Sequence, residues 1–159
     1  MPNIEEKVHV ELWYSSNNVM ALDFIKEFDK YMHELEGRVD FEPRFVTWEC
    51  KFCSDDYKAE ECFGDGKYCA PNHERSSYSN VYGRDIISED LRQHCLHTSL
   101  KAQGQEALWW DYIQFVHQEC FEFISGQCSR LGHKKIGVKY EDTLTCVSNS
   151  FEQTSTKQY

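Results

Sequence analysis

The chain has 159 residues, 40% of them hydrophobic and 14% aromatic, enough for one domain with its own core. Its 27 acidic residues outnumber 17 basic ones, and the resulting charge of −10 repels nucleic-acid phosphates and anionic lipid headgroups. No apolar run approaches the ~20 residues that cross a bilayer, and the opening MPNIEEKVHV lacks the basic start and apolar stretch of a secretory leader.

Residues 1–7 read as a tail. Residues 8–14 then alternate, with Val8, Val10, Leu12 and Tyr14 on one face and His9, Glu11 and Trp13 on the other, which predicts a half-buried strand. Four small polar residues, Ser15, Ser16, Asn17 and Asn18, lead into a helical repeat of Ala21, Phe24, Ile25, Phe28, Tyr31, Met32 and Leu35. Gly37 is placed to end that helix. A second strand follows in RVDFEPRFVTW, where Val39, Phe41, Phe45 and Thr47 share a face and Pro43 signals an edge or a bulge. Strand, helix and strand in this order predict a βαβ unit with a parallel strand pair.

Between Cys50 and Asn80 the periodicity disappears, and four cysteines among turn residues predict a cross-linked loop. Helical patterning returns in GRDIISEDLRQHCLHTSLKAQG, with Ser88 or Asp85 as caps and Ile87, Leu91 and Cys95 on one side. The next segment, QEALWWDYIQFVHQECFEFIS, predicts a helix with Trp109, Tyr112, Ile113, Val116 and Cys120 on an aromatic face. GQCSRLGHKKIGVKYEDTLTCV predicts one or two shorter helices, and residues 148–159 a loose polar tail. The expected fold is α/β: a domain over 8–147 whose small sheet carries a helical subdomain over about 81–147. Two parallel strands alone make a poor sheet, so further strands are expected, unrecognised in the pattern or supplied by another chain.

Cysteine usage is the most informative feature. Eight cysteines exceed what a reducing cytosol usually tolerates and predict four disulfides in an oxidising compartment. A cytosolic chain with free or zinc-bound thiols is the alternative. Cys50-Lys51-Phe52-Cys53 has the spacing of a redox pair, which would need its leading thiol at a helix N-terminus. Here it enters a loop rich in Asp and Glu, whose charges oppose a thiolate. Zinc could draw on Cys50, Cys53, Cys62 and Cys69, although the wide spacing of the last two is not a second CxxC. The structural reading nests Cys50–Cys69 around Cys53–Cys62. Cys120 and Cys128 flank a turn containing Gly126, which leaves Cys95 to pair with Cys146.

His94 and His97 flank Cys95, and Asp111 stands beside Trp110 and Tyr112; for both groups a packed helix is the simpler reading than a ligand set. The candidate partner contacts are the junction Ser15 to Asn18 and the cluster Trp109, Trp110 and Tyr112, with a core role as the competing explanation for the aromatics.

VELWYSSN, FVTWEC, GKYCAP, LRQHC and WWDY, in that order over residues 8–147, resemble the luminal central domain of plant-type vacuolar sorting receptors. Those are transmembrane receptors that carry soluble cargo to lytic vacuoles. The resemblance implies a thioredoxin-like fold with a helical insertion, a protein or peptide partner, and a place in the secretory lumen or outside the cell. In thioredoxin-like oxidoreductases the reactive CxxC lies between the first strand and its helix. Here that position holds Ser16-Asn17-Asn18-Val19, so the resemblance implies a module without the redox site. It also implies a later hairpin and helix completing the sheet, for which no strand pattern follows Pro71; the expectation is a fragment, or a sheet finished by a neighbouring subunit.

Overall fold

The first strand, β1 (Val8–Tyr14), turns Val10, Leu12 and the buried Tyr14 inward, while Val8, expected on the same face, is exposed at its start. The computed structural model describes residues 7–32, 34–35, 37–70, 72 and 80–155, the last five by their backbone alone. After β1 the helix α1 (Val19–Met32) buries Leu22 and Ile25. Phe28 and Met32 extend that stripe against the core. Phe24 and Tyr31, expected on the same face, stand out in solvent at its edge. The chain returns through β2 (Val39–Phe45), which pairs with β1 in parallel, Val8 opposite Val39 and Tyr14 opposite Phe45. Pro43 lies opposite Leu12. In a sheet of two strands every strand is an edge, so a residue without an N–H is tolerated there.

The segment read as structureless has elements of its own. A short helix α2 (Asp55–Glu61) starts at Ser54, whose hydroxyl accepts from the Tyr57 amide. It runs into a small antiparallel hairpin, β3 (Cys62–Phe63) and β4 (Tyr68–Cys69), with Cys62 opposite Cys69. A bridge from Trp48 to Cys69 ties the hairpin to the chain leaving β2. Two-residue strands and a seven-residue helix are too short to establish a period, which hid them from the pattern.

The long helix α3 (Gly83–Ala102) is the axis of the domain. It starts at Tyr82, and the Asp85 carboxylate reaches back to accept from the Tyr82 amide at 2.9 Å. Ser88, the other cap candidate, lies within the helix and donates to the Arg84 carbonyl. Around α3 pack β2, the hairpin, α4 (Ala107–Phe115), α5 (Gly126–Ile136) and α6 (Tyr140–Ser155). Between α4 and α5, Val116–Cys120 forms a π turn, so the predicted single helix is interrupted. α6 continues through Ser148 to Ser155, a correction to the loose tail expected from composition.

One core cluster joins Tyr14, Leu22, Ile25 and Phe41 to Leu96, Leu100, Trp109, Trp110, Tyr112 and Ile113. The expectation that the tryptophans contact a partner is corrected here. Trp109 and Tyr112 are fully buried and Trp110 is 3% exposed, with Trp110 centred 4.7 Å from the Phe41 ring. A smaller cluster of Ala70, Val81, Ile86, Ile87 and Ile124 lies under the hairpin.

The disulfides are Cys50–Cys53, Cys62–Cys69, Cys95–Cys146 and Cys120–Cys128. The nested pairing of Cys50 with Cys69 and Cys53 with Cys62 is therefore corrected. The hairpin holds Cys62 and Cys69 opposite each other, 4.1 Å between Cα atoms, while Cys50 and Cys53 close the turn that precedes α2.

Candidate functional site

The junction between β1 and α1 combines a local helix cap with hydrogen bonds that reach α3 and Asn72. Asn18 caps α1: its Oδ1 accepts from the Ala21 amide at 2.8 Å and its carbonyl accepts from Leu22. Ser16 is 1% exposed. Its amide donates to Asp90 Oδ1 at 2.8 Å and its hydroxyl to the Ile86 carbonyl at 3.2 Å, both on α3. Asn17 accepts from Ser15 Oγ and donates to Asn72 Oδ1 at 2.9 Å. Asn72 in turn donates to the Val81 carbonyl. Of the four junction residues predicted to meet a partner, Ser16 and Asn17 are thus buried and committed internally, Ser15 is half-buried and Asn18 is an exposed cap.

Asp90 links this junction to a cavity of about 360 Å³. Its walls come from β2 (Phe45), the hairpin (Phe63, Tyr68) and α3 (Ile87, Leu91), with Asp90 among them. Thr47, His94 and Ser150 also line it, and all three are exposed. Burial pushes the Asp90 carboxyl up to about 7, against the Ser16 hydroxyl and amide beside it, which favour the charged form. Protein packed against one side of the otherwise exposed His94 holds its imidazole below the ordinary value. The cavity can therefore offer apolar surface and a single buried acid.

Behind the cavity α3 carries a polar network inside the core. Tyr112 Oη donates to Glu89 Oε1 at 2.8 Å and lies 2.6 Å from Ser129 Oγ. Arg92 Nε donates to Glu89 Oε2 at 2.8 Å, and Gln93 Nε2 to Glu89 Oε1 at 3.2 Å. Tyr14 closes the set, donating to Gln93 Oε1 at 2.6 Å. Burial drives both tyrosine hydroxyls well above their ordinary values, so they stay protonated donors.

The histidines of α3 are not brought together. His94 is exposed, whereas His97 is buried with its Nε2 2.8 Å from Glu106 Oε1. Asp111 is exposed on α4. Among the described residues no group of three or more His, Cys, Asp or Glu side chains is arranged to hold a metal. The Cys50–Cys53 pair, read as entering a loop, instead stands directly before α2, whose first turn holds Asp55 and Asp56. Phe52 between the two cysteines is 100% exposed.

A thioredoxin-type β1–α1–β2 unit, a helical insertion and four disulfides are the architecture expected of one receptor domain, and the family model described as the vacuolar sorting receptor thioredoxin-like domain matches residues 8–159. The chain belongs to that family. Among its relatives, vacuolar-sorting receptor 7 of Arabidopsis thaliana is 28% identical over 94% of this chain. Vacuolar-sorting receptor 3 of the same plant is 32% identical over 76% of the chain, and vacuolar-sorting receptor 1 of Pisum sativum 28% over 94%. The chain spans about a quarter of their length: 26%, 21% and 26% respectively. Among the described residues no helix is long and apolar enough to cross a membrane.

Within this vacuolar sorting receptor-like domain, Asp90 is the site residue that the sequence reading missed. A signal for it exists. Asp90 lies four residues after Ile86 and three after Ile87, on the buried stripe of α3, and an acid on such a stripe is rare without a reason.

Proposed function

We propose that the chain is a non-catalytic, disulfide-stapled module that binds protein or peptide partners in the secretory-pathway lumen or outside the cell. The observation carrying this reading is the β1–α1 junction. Where a thioredoxin-like oxidoreductase holds its thiols, this chain has Ser16, Asn17, Asn18 and Val19. Hydroxyl and amide groups cap a helix and brace α3 well, but thiol–disulfide exchange needs a thiolate. Four disulfides support an oxidising compartment.

The relatives are named as vacuolar-sorting receptors, and a receptor's role of binding a partner is here extended to this chain, which matches about a quarter of their length. The reading needs no cofactor: as disulfides, Cys50, Cys53, Cys62 and Cys69 offer no thiolate to zinc. It involves neither nucleic acid nor direct membrane contact. In a larger assembly, a neighbouring chain adding strands beside β1 or β2 would be such a partner.

A second reading, thiol exchange at Cys50–Cys53, is favoured by the exposure of Phe52 between the two cysteines and opposed by Asp55 and Asp56 in the first turn of α2. Two assays separate them. The disulfide-intact chain, produced through an oxidising secretory route, is immobilised and offered a random peptide library; enrichment of a shared sequence supports binding. Turnover in an insulin-reduction assay, abolished by Cys50→Ser, would overturn the non-catalytic reading.

A further inference from the structure

The cavity beside α3 holds an incomplete hydrogen-bond set at its one charged group. Asp90 is 3% exposed. Its Oδ1 is occupied by the Ser16 amide, and the Ser16 hydroxyl beside the carboxylate donates to the Ile86 carbonyl, which leaves Oδ2 buried without a hydrogen-bond partner. A buried carboxylate oxygen lacking a donor is costly, and native structures keep few of them. Arg92, two residues on in α3, does not supply the donor. It is engaged with Glu89 through Nε, and its own Nη2 makes no hydrogen bond. The cavity into which the acid is set, about 360 Å³, falls in the range of ligand sites and is open at the rim of Thr47, His94 and Ser150.

The missing donor can be specified further. An acid in an apolar cavity asks for a cation with an apolar stem, and the chain's charge of −10 attracts basic partners generally. Because Oδ1 is already used, one oxygen remains. That suits the compact ammonium of lysine better than the two-pronged fork of arginine. The four methylenes of a lysine match walls made by Ile87 and Leu91, while the Phe63 and Tyr68 rings, which already carry Arg84 and Lys67, add apolar surface.

We propose that this cavity receives a lysine side chain of a protein or peptide partner, with its stem along Ile87 and Leu91 and its ammonium on Asp90 Oδ2. The proposal rests on the protein-binding reading and gives it a recognition site. That site adjoins the junction where the oxidoreductases of this fold act on their substrates, because Asp90 is the residue holding Ser16 in place.

Methyl NMR tests it. Ile87 and Leu91 methyl shifts are followed while the disulfide-intact chain is titrated to millimolar concentration with Ac-Ala-Ala-Lys-Ala-Ala-amide. The comparison peptide has norleucine in place of lysine, the same stem without the charge. The lysine peptide is expected to give saturable shifts, with the norleucine peptide weaker by about tenfold or more. Asp90→Asn should bring the lysine peptide down to the norleucine level. Thr47→Trp, at an exposed rim position, should block both peptides while Asp90 stays intact. Equal affinity for the two peptides, no shift with either, or full lysine binding by Asp90→Asn would overturn the proposal. A library consensus without lysine would also overturn it while leaving protein binding standing, so the two readings fail separately.

Discussion

The Ser16 amide donates to Asp90 Oδ1 at 2.8 Å, across 74 residues of sequence. That bond fastens the strand–helix junction to the central helix. It also fixes the rotamer that leaves Asp90 Oδ2 buried and unsatisfied beside the cavity. A packing residue would be better as Asn or Leu. An acid kept here at a cost to stability is the kind of local conflict that marks a functional position.

That cost has a pH signature. An unfolded Asp titrates near 3.9, while burial raises the folded Asp90 carboxyl to about 7. Between these values the native state holds a proton that the unfolded state has lost. The stabilising contribution is therefore complete below about pH 4 and disappears as pH rises through about 7, amounting to roughly 4 kcal/mol. Glu89 pushes the same way, while Ser16 and the Arg92 charge oppose it; Tyr14 faces the acid from β1 and His94 lies four residues on. Asp90→Asn should be the more stable protein at about pH 8, with the advantage shrinking towards about pH 4. Urea denaturation of both proteins across that range checks this; a constant difference would mean that Asp90 is not raised.

The disulfides should differ in what they stabilise. Cys95–Cys146 closes 51 residues and joins α3 to α6, so its removal as Cys95→Ala with Cys146→Ala should cost about 4 kcal/mol by loop-closure entropy. Cys50–Cys53 closes a separation of 3, so it constrains little, and both of its cysteines are half-buried, whereas Cys62, Cys69, Cys95 and Cys120 bury one sulfur or both of every other bridge, including that of the exposed Cys146. Mild reduction followed by alkylation and peptide mass mapping should label Cys50 and Cys53 first, with little fall in melting temperature. Early labelling of Cys95 would contradict this order.

Legibility of the fold followed period and length. β1, α1 and β2 were readable because each runs seven residues or more with one buried stripe. α2 and the β3–β4 hairpin are shorter than one readable repeat, and the cysteine pairing failed where that hairpin decided which sulfurs meet. The Trp109-Trp110-Tyr112 cluster read equally as surface or core, because an aromatic stripe looks the same in either role until its neighbours are known. Phe41 and Leu96, far apart in sequence, turned it inward. Asp90 was hidden for a related reason. The pattern shows an acid on a buried stripe, but only the tertiary packing of β2 and the hairpin makes a cavity beside it.

Gly83, the first residue of α3, is a close-approach position. A Cβ there would lie 2.5 Å from both the Ala70 and Glu61 carbonyl oxygens, and the Gly83 amide donates to the Glu61 carboxylate. Backbone oxygens cannot swing aside as a side chain can. Gly83→Ala is expected to cost about 1–3 kcal/mol through overpacking, although alanine is the better helix former. A melting temperature that rises instead would show that the hairpin yields easily.

Tyr112 tests whether the core network acts as a unit. Tyr112→Phe keeps the ring in the core but removes the donor to Glu89 Oε1 and the partner of Ser129 Oγ. Glu89 would keep Arg92 and Gln93, so its charge stays paired. The expected loss is about 1–3 kcal/mol, the cost of leaving buried polar groups short of a partner. Adding Ser129→Ala should then cost less than it does alone, because the bond it serves has already gone. A double-mutant cycle measured by urea denaturation reads that difference. Additive losses would mean that Tyr112 and Ser129 stabilise the helices independently, and that the network holds α3 against α4 and α5 no better than separate bonds would.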